Sequence, residues 1–482
     1  MKFHILIFGC QMNYADSARI KAVLLHCGFS YTENINEADI VIFDTCSIKQ
    51  KAEDKVTGKL KLLKKTQKIW ITGCMIQHNI RNGKLKVDKG KGIMKIGNFG
   101  GSIKSKQPTI LGFSTEEINH LKSSEKSSEI LGVNNAFNPM FHNILQKQKN
   151  LELMRRIDDT GFLPLMLQKL GYKITYDEGL INEYEKILPE QNTSMNTTHS
   201  KTAYIPISTG CNQFCSYCIV PYARGLEKNF PVEHIVEEAK KHIQRGAEEI
   251  VLIGQIVNKH PDFVSLLQKI LKLKGLRRLR YTSPYPTFYS KDLLHLHATQ
   301  EKLCPHIHIP FQSGSDKILK AMHRGYTAKQ AWKFIDDIQA LPRKISITTD
   351  IIVGFPGETE KDFNDTLKLV RHGKFDMIYI GIYSPRPGTY ADKHMPDTIP
   401  YATKHARRNK LNELLKKISL ANNKKEIGST HTVLINEQGT DFLSGYTEHM
   451  KQVLVKGKAK AGDFVQVKMS KGVPFKLYGE II

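Results

Sequence analysis

The segment GCNQFCSYC at residues 210–218 constrains this chain more tightly than any other feature. Its cysteines, Cys211, Cys215 and Cys218, are spaced C-x3-C-x2-C directly behind the strand-like run AYIPIS. Three thiolates this close in sequence suit three irons of one [4Fe–4S] cube and leave the fourth iron without a protein ligand. The alternative is a structural zinc, which takes four nitrogen or sulfur ligands. The nearest downstream histidine is His234, and no second C-x2-C follows. Any fold must therefore present these sulfurs to one point beyond a strand end.

An iron left open can be chelated by the amino and carboxylate groups of S-adenosylmethionine. One electron from the cluster then breaks a C–S bond and yields a radical able to attack C–H bonds that no side-chain base would deprotonate. Tyr217 beside Cys218 fits the pattern of such sites.

A second cysteine set is dispersed. Cys10, Cys46 and Cys74 each follow an apolar run, in FHILIFG-C, DIVIFDT-C and KIWITG-C. In a parallel sheet those strands share a direction, so all three thiols lie along the C-terminal edge, where open α/β sheets bind ligands. A second cluster with one open iron is the reading this favours over three unrelated core thiols. The remaining cysteines, Cys27 and Cys304, lack a partner at ligand spacing and read as structural thiols.

The chain has 482 residues, enough for two to four domains. Residues 1–80 alternate strand and helix patterns and predict a parallel α/β domain whose core extends to or past that boundary. Residues 81–200 are rich in Gly, Lys and Ser and read as an insertion and linker, lying outside any assignable function. Residues 201–425 alternate again, with strands expected at AYIPIS, EIVLIG, LRRLRYTS, HIHIPF, ISITTDIIVG and MIYIGIYS. Six βα repeats predict a full or partial TIM-type barrel. Residues 426–482 carry short alternating strands with glycine turns and predict a small β-barrel.

Lys and Arg number 71 against 47 Asp and Glu, a formal charge of +24. That excess favours a polyanionic partner such as nucleic acid, or else reflects a lysine-rich proteome. The opening MKFHILIFGCQMNYADS does not read as a signal peptide, because its apolar run is short and leads into polar residues. No apolar stretch is long enough to span a membrane, so a cytoplasmic location without a membrane partner is expected. Thiols there stay reduced, and clustered ones point to metal ligation.

Longer motifs carry a resemblance. GCQMNYADS, DTCSIKQKAEDKV, ITGCMIQ, GCNQFCSYCIVPYARGLE, LIGQIVN, PFQSGSDKILKAMHRGYT, DIIVGFPGETEKDF and YSPRPGTYA resemble the methylthiotransferases of the radical S-adenosylmethionine class. The resemblance covers residues 1–78 and 201–482 and implies an N-terminal methylthiotransferase domain, a radical SAM barrel and a C-terminal TRAM β-barrel. It implies that Cys211, Cys215 and Cys218 bind the radical-generating [4Fe–4S] cluster. Cys10, Cys46 and Cys74 would bind an auxiliary [4Fe–4S] cluster holding the sulfur to be inserted, and S-adenosylmethionine would supply both methyl group and radical. Family members modify isopentenyladenosine beside the tRNA anticodon, threonylcarbamoyladenosine at the same site, or an aspartate of a ribosomal protein. GCQMN with its following DS, TCSIKQKAE and GQIVN resemble the isopentenyladenosine branch, which places a methylthio group on carbon 2 of the adenine. The implied partner is tRNA, and a monomer suffices. Sulfur and electron donors are left unnamed by the sequence.

Other motifs sit behind predicted strands. In GFPGE, Gly354 and Gly357 would let backbone approach a cofactor, with Glu358 beside them, or form an ordinary βα turn. In QSGSD, Gln312 and Ser313 could contact the cofactor or the adenine. Arg224 suits a carboxylate or phosphate, or equally a structural ion pair. Lys451, Lys456, Lys458, Lys460, Lys468 and Lys471 give the last barrel positive charge for RNA. Two departures from the family pattern stand out. Tyr446 replaces the usual arginine, and the stretch between Cys74 and Cys211 is longer and more lysine-rich.

Overall fold

The structure is a computed structural model describing residues 1–9, 11–46, 55–56, 58–60, 62–74, 151–154, 163, 167–168, 170–174 and 201–482. Cys10, the bulk of the 81–200 segment and much of the stretch 47–61 lie outside the described residues. The chain divides into two compact units. The first comprises Met1–Met195 with Gly210–Asn212 and Cys218–Glu227, and the second Asn196–Thr209, Gln213–Tyr217 and Lys228–Ile482.

The first unit is a parallel sheet of β1 (Lys2–Phe8), β2 (Ser30–Tyr31), β3 (Ile40–Thr45), β4 (Lys68–Gly73) and β5 (Leu151–Met154), in the order β2-β1-β3-β4-β5. Every residue of β3, IVIFDT, is buried, as a central parallel strand with both faces covered requires. Helix α1 (Gln11–His26) packs Ile20, Val23 and Leu24 onto Phe3, Ile5, Ile42 and Trp70. Leu163 and Leu167 join the same core. The unit therefore draws β5 and these leucines from the stretch that sequence patterning sets aside as insertion and linker, so the α/β domain extends beyond residue 80. Asp44 anchors α1 to the sheet edge, accepting from Asn13 Nδ2 and Ser17 Oγ at 2.7 Å each. Burial, with the nearby Asp16 charge, pushes the Asp44 carboxyl up to about 7.

In the second unit all six expected βα strands form. They are β6 (Thr202–Pro206), β9 (Glu249–Ile253), β10 (Arg278–Tyr281), β11 (His306–His308), β12 (Ser346–Val353) and β13 (Met377–Ile382), with a short ribbon of β7 (Ser208–Thr209) and β8 (Lys228–Asn229). The parallel sheets β6-β9-β10 and β11-β12-β13 meet at a bridge between Leu279 and Leu303. Among the described residues β6 and β13 do not pair, so this is the partial form of the barrel. Five further strands, β14 (Thr430–Gln438), β15 (Leu443–Thr447), β16 (Gln452–Lys456), β17 (Phe464–Val473) and β18 (Lys476–Ile481), form the expected closed small barrel. Arg278 docks it by donating to the carbonyls of Tyr446 (3.2 Å) and Thr432. Lys344–Glu426 (2.7 Å) and Lys451–Asp376 (2.6 Å) add ion pairs. Lys451 is thus a correction to the expected RNA-facing lysines: it is buried and spent on Asp376 and Asn423. Lys456, Lys458, Lys460, Lys468 and Lys471 are exposed.

Candidate iron–sulfur sites

In the second unit, Cys215 lies in the loop segment 213–217, which is pinned to the end of helix α2 (Asp316–Ala321). Ser216 donates its N–H to the Met322 carbonyl (3.1 Å) and its hydroxyl to that of Ala321 (2.7 Å), using carbonyls that a helix end leaves unsatisfied. Just past this end, Arg324 turns back and donates Nη1–H to Cys215 Sγ at 3.3 Å. Its Nη2 donates to the Pro310 carbonyl at 2.8 Å, and its guanidinium lies 4.4 Å from the centroid of the Tyr285 ring. Asn258, the last residue of the GQIVN motif, fixes Tyr285 by two bonds, accepting from its N–H (2.8 Å) and donating to its carbonyl (2.9 Å). Tyr217 packs edge-on against Phe355 of the GFPGE turn, with ring centroids 6.2 Å apart.

In the first unit, Cys46 follows β3 and Cys74 follows β4. Register pairs Phe8 with Thr45 and Thr45 with Gly73, so the ends of β1, β3 and β4 are level. Cys46 and Cys74 are buried at that shared edge, as the strand-end reading requires. Arg224 bridges to the same edge. It donates Nε–H to Cys74 Sγ at 3.1 Å and Nη2–H to Asp16 Oδ2 at 2.7 Å, with the arginine side chain 3% and the aspartate 9% exposed. Of the two sequence readings of Arg224, the structure shows the ion pair, with Asp16; the contact with Cys74 was not expected. The segments around it are tied together by Cys211 N–H to the Gly225 carbonyl (3.1 Å) and by Glu227 N–H to Asn212 Oδ1 (2.9 Å). Gly210 has φ +72°, and a Cβ there would sit 2.1 Å from the Leu226 carbonyl oxygen, so only glycine fits the turn.

The other site candidates divide by what already occupies their polar atoms. Gln312 has φ +70°, and among the described residues its buried side-chain Oε1 has no hydrogen-bond partner, as a ligand-facing amide would. The Ser313 hydroxyl is instead shared with Thr366 Oγ1 (3.3 Å) and the Ser315 N–H (3.2 Å). At Gly357, φ is +78° and a Cβ would meet no atom within 4 Å, leaving its backbone approachable. At Gly354 a Cβ would strike Lys404 Cγ at 2.3 Å, so that glycine serves packing. Glu358 is buried and accepts from Arg407 Nη1 and Gly354 N–H at 2.7 Å each, which braces the turn; burial still pushes its carboxyl up. Cys27 and Cys304 are buried, and desolvation raises their thiols to about 11 and about 12, as inert core thiols require.

Patterning assigned no role to Arg324, Tyr285 or Asp16. Arg324 does stand within the quoted MHRGYT motif, but its cysteine partner lies 109 residues away. The N–H···S contacts at Cys74 and Cys215 suit sulfurs that ligate a cluster. A cationic N–H held against a buried sulfur is a weak contact for a neutral thiol and a charge-assisted one for a thiolate or cluster ligand, and one is present at each set.

Three family models match the chain. They are the uncharacterized protein family UPF0004 over residues 2–90, the radical SAM superfamily over 205–370 and the TRAM domain over 424–482. A tRNA-2-methylthio-N(6)-dimethylallyladenosine synthase of Fusobacterium nucleatum is 32% identical over 492 residues, covering 100% of both chains. Synthases of the same name from Clostridium botulinum and Natranaerobius thermophilus are 35% and 34% identical, covering 100% of this chain and 97% and 96% of theirs. Among solved structures, the radical S-adenosylmethionine methyltransferase TsrM of Kitasatospora setae aligns with a TM-score of 0.47 at 10% identity, covering 81% of this chain and 74% of that one. No helix among the described residues is long and apolar enough to cross a membrane.

Proposed function

The chain belongs to the family of tRNA-2-methylthio-N(6)-dimethylallyladenosine synthases, and from that membership we infer that it inserts sulfur and a methyl group at carbon 2 of isopentenyladenosine beside the tRNA anticodon. Dimethylallyl and isopentenyl name the same side chain here. The full-length relatives thus favour this branch over threonylcarbamoyladenosine or a ribosomal-protein aspartate. What carries the reading is the end-to-end match to these relatives; Cys46 and Cys74, which follow β3 and β4 directly, support it.

Cys211, Cys215 and Cys218 hold the radical-generating [4Fe–4S] cluster, and Cys10, Cys46 and Cys74 hold the auxiliary one. When bound, these clusters and S-adenosylmethionine supply a radical that removes hydrogen from the adenine and a methylated sulfur to replace it. That C–H is not acidic, so no side-chain base would suffice. The chain's own residues bind and orient. Gln312, whose amide oxygen has no partner among the described residues, offers it toward the cofactor or adenine, and the backbone at Gly357 allows close approach. Gly354, Glu358 and Ser313 shape the turns that carry these groups. The exposed lysines of the last barrel meet RNA phosphates, and Tyr446, 36% exposed, stacks on a base. The chain acts in the cytoplasm as a monomer.

Nucleoside mass analysis of tRNA from a deletion strain tests the reading. Methylthio-isopentenyladenosine should vanish and isopentenyladenosine accumulate; persistence of the methylthio nucleoside would overturn it.

A further inference from the structure

Arg324 is 7% exposed, yet among the described residues no carboxylate lies within the 4.0 Å of an ion pair with it. Its bonds go to a carbonyl, a phenol and a sulfur: Pro310 O, Tyr326 OH at 3.4 Å and Cys215 Sγ. Tyr285 and Tyr326 cover its faces, with centroids 4.4 and 5.5 Å away. Neutral rings and one carbonyl compensate a buried guanidinium poorly, and arginine does not discharge by losing a proton. An anion belongs at the Cys215 side of this arginine. A [4Fe–4S] cluster held by three thiolates is such an anion, and it gains a further negative charge when reduced.

We propose that Arg324 is the charge-balancing residue of the radical cluster, raising its reduction potential through the N–H bond to Cys215. The inference rests on the reading that Cys211, Cys215 and Cys218 hold that cluster. The step concerned is addition of one electron, from an external low-potential reductant, to the oxidised cluster, with no bond made or broken. A fixed positive charge beside one ligand sulfur favours the reduced form, because net charge and hydrogen bonds to the sulfurs both set cluster potentials. Arg324 is thus a positioning and tuning residue acting through Cys215. Tyr285, itself held twice by Asn258, keeps the guanidinium plane in place.

The test uses the full chain with Cys10, Cys46 and Cys74 changed to alanine, so that a single cluster of about four irons remains. Titanium(III) citrate reduces it while electron paramagnetic resonance follows the reduced signal against potential. Arg324→Gln should cut the reduced-to-oxidised ratio at a fixed potential by about tenfold or more, a shift of about 59 mV to lower potential per tenfold for one electron. Arg324→Lys, which keeps the charge, should recover most of that ratio. An unchanged midpoint in Arg324→Gln at equal iron content overturns the proposal. Should either variant lose iron, the unsubstituted arginine decides. Pulsed resonance on the same background carrying ¹⁵N-labelled arginine should show a guanidinium nitrogen coupled to the reduced cluster, and absence of that coupling overturns the proposal. A background chain that binds no iron overturns the cluster assignment itself, an outcome distinct from either of these.

Discussion

Each unit sets a buried arginine against a cysteine sulfur, but the two arginines differ in what lies on their other side. Arg224 donates to Cys74 and, 2.7 Å away, to the carboxylate of Asp16. Arg324 donates to Cys215 and, among the described residues, otherwise meets only a carbonyl, a phenol and aromatic faces. The N–H···S distances, 3.1 and 3.3 Å, are nearly the same. A guanidinium already matched by a carboxylate brings little net charge to its sulfur and serves as a tether. One without such a match brings nearly a full charge. The role of an arginine beside a metal ligand is therefore set by its remaining partners, a point that contact distance alone conceals.

The largest expected effect separates the two cysteine sets. Cys215→Ala and Cys74→Ala should each abolish methylthiolation, and each should leave about four of about eight irons after anaerobic reconstitution. Either variant losing all its iron would show that the sets are not independent sites. The next effect contrasts the arginines in the iron-free chain. Arg224→Met leaves Asp16 buried and uncompensated, which should destabilise the first unit by about 3 kcal/mol or more in urea unfolding. The double variant with Asp16→Asn should recover most of that loss. Arg324→Gln removes a cation that no carboxylate among the described residues matches and should cost about 1 kcal/mol, the value of its lost hydrogen bonds. Equal costs at Arg224 and Arg324 would break the comparison.

The sequence carried the six parallel strands, the last β-barrel and the strand-end places of Cys46 and Cys74 because each rests on local patterning. An apolar run ends and a cysteine, glycine or proline follows, as at Thr45–Cys46 and Gly73–Cys74. What stayed illegible were pairings between distant segments. Arg224 meets a sulfur 150 residues away, Arg324 one 109 away, and Glu358 finds Arg407 across 49 residues. No periodicity encodes such a pairing; it exists only once the strands and loops are assembled. Lys451 was misjudged for the same reason, since a lysine in a lysine-rich stretch looks solvated until Asp376 is brought to it. The strand Leu151–Met154 spans just four residues, too few for alternation to announce it, and its pairing with β4 is what makes it a strand.

The smallest expected effect adds a cation of a third kind, one flanked by carboxylates on both sides. His431 of the last barrel contacts Glu426 through Nε2 at 3.2 Å and Glu448 through Nδ1 at 2.8 Å. Hydrogen bonds to Glu426 first and Glu448 second raise its pKa to about 9, against a burial cost that pulls the other way. Lys344 and Lys451 face Glu426, while Arg278 and His449 face Glu448, so the imidazolium is one member of a mixed-charge network. A histidine whose folded pKa lies above its unfolded value of about 6.5 contributes stability in full below that value. The contribution is lost as pH rises through about 9. Allowing for solvent screening at this partly open site, the loss between about pH 6 and about pH 10 should be about 1 to 2 kcal/mol. His431→Gln should lose correspondingly less over the same interval, measured as the difference between the two proteins so that other titrating groups cancel. Arg324 keeps its charge throughout that range, so Arg324→Gln should retain the wild-type dependence on pH. If His431→Gln follows the wild-type curve, the imidazolium does not hold the barrel.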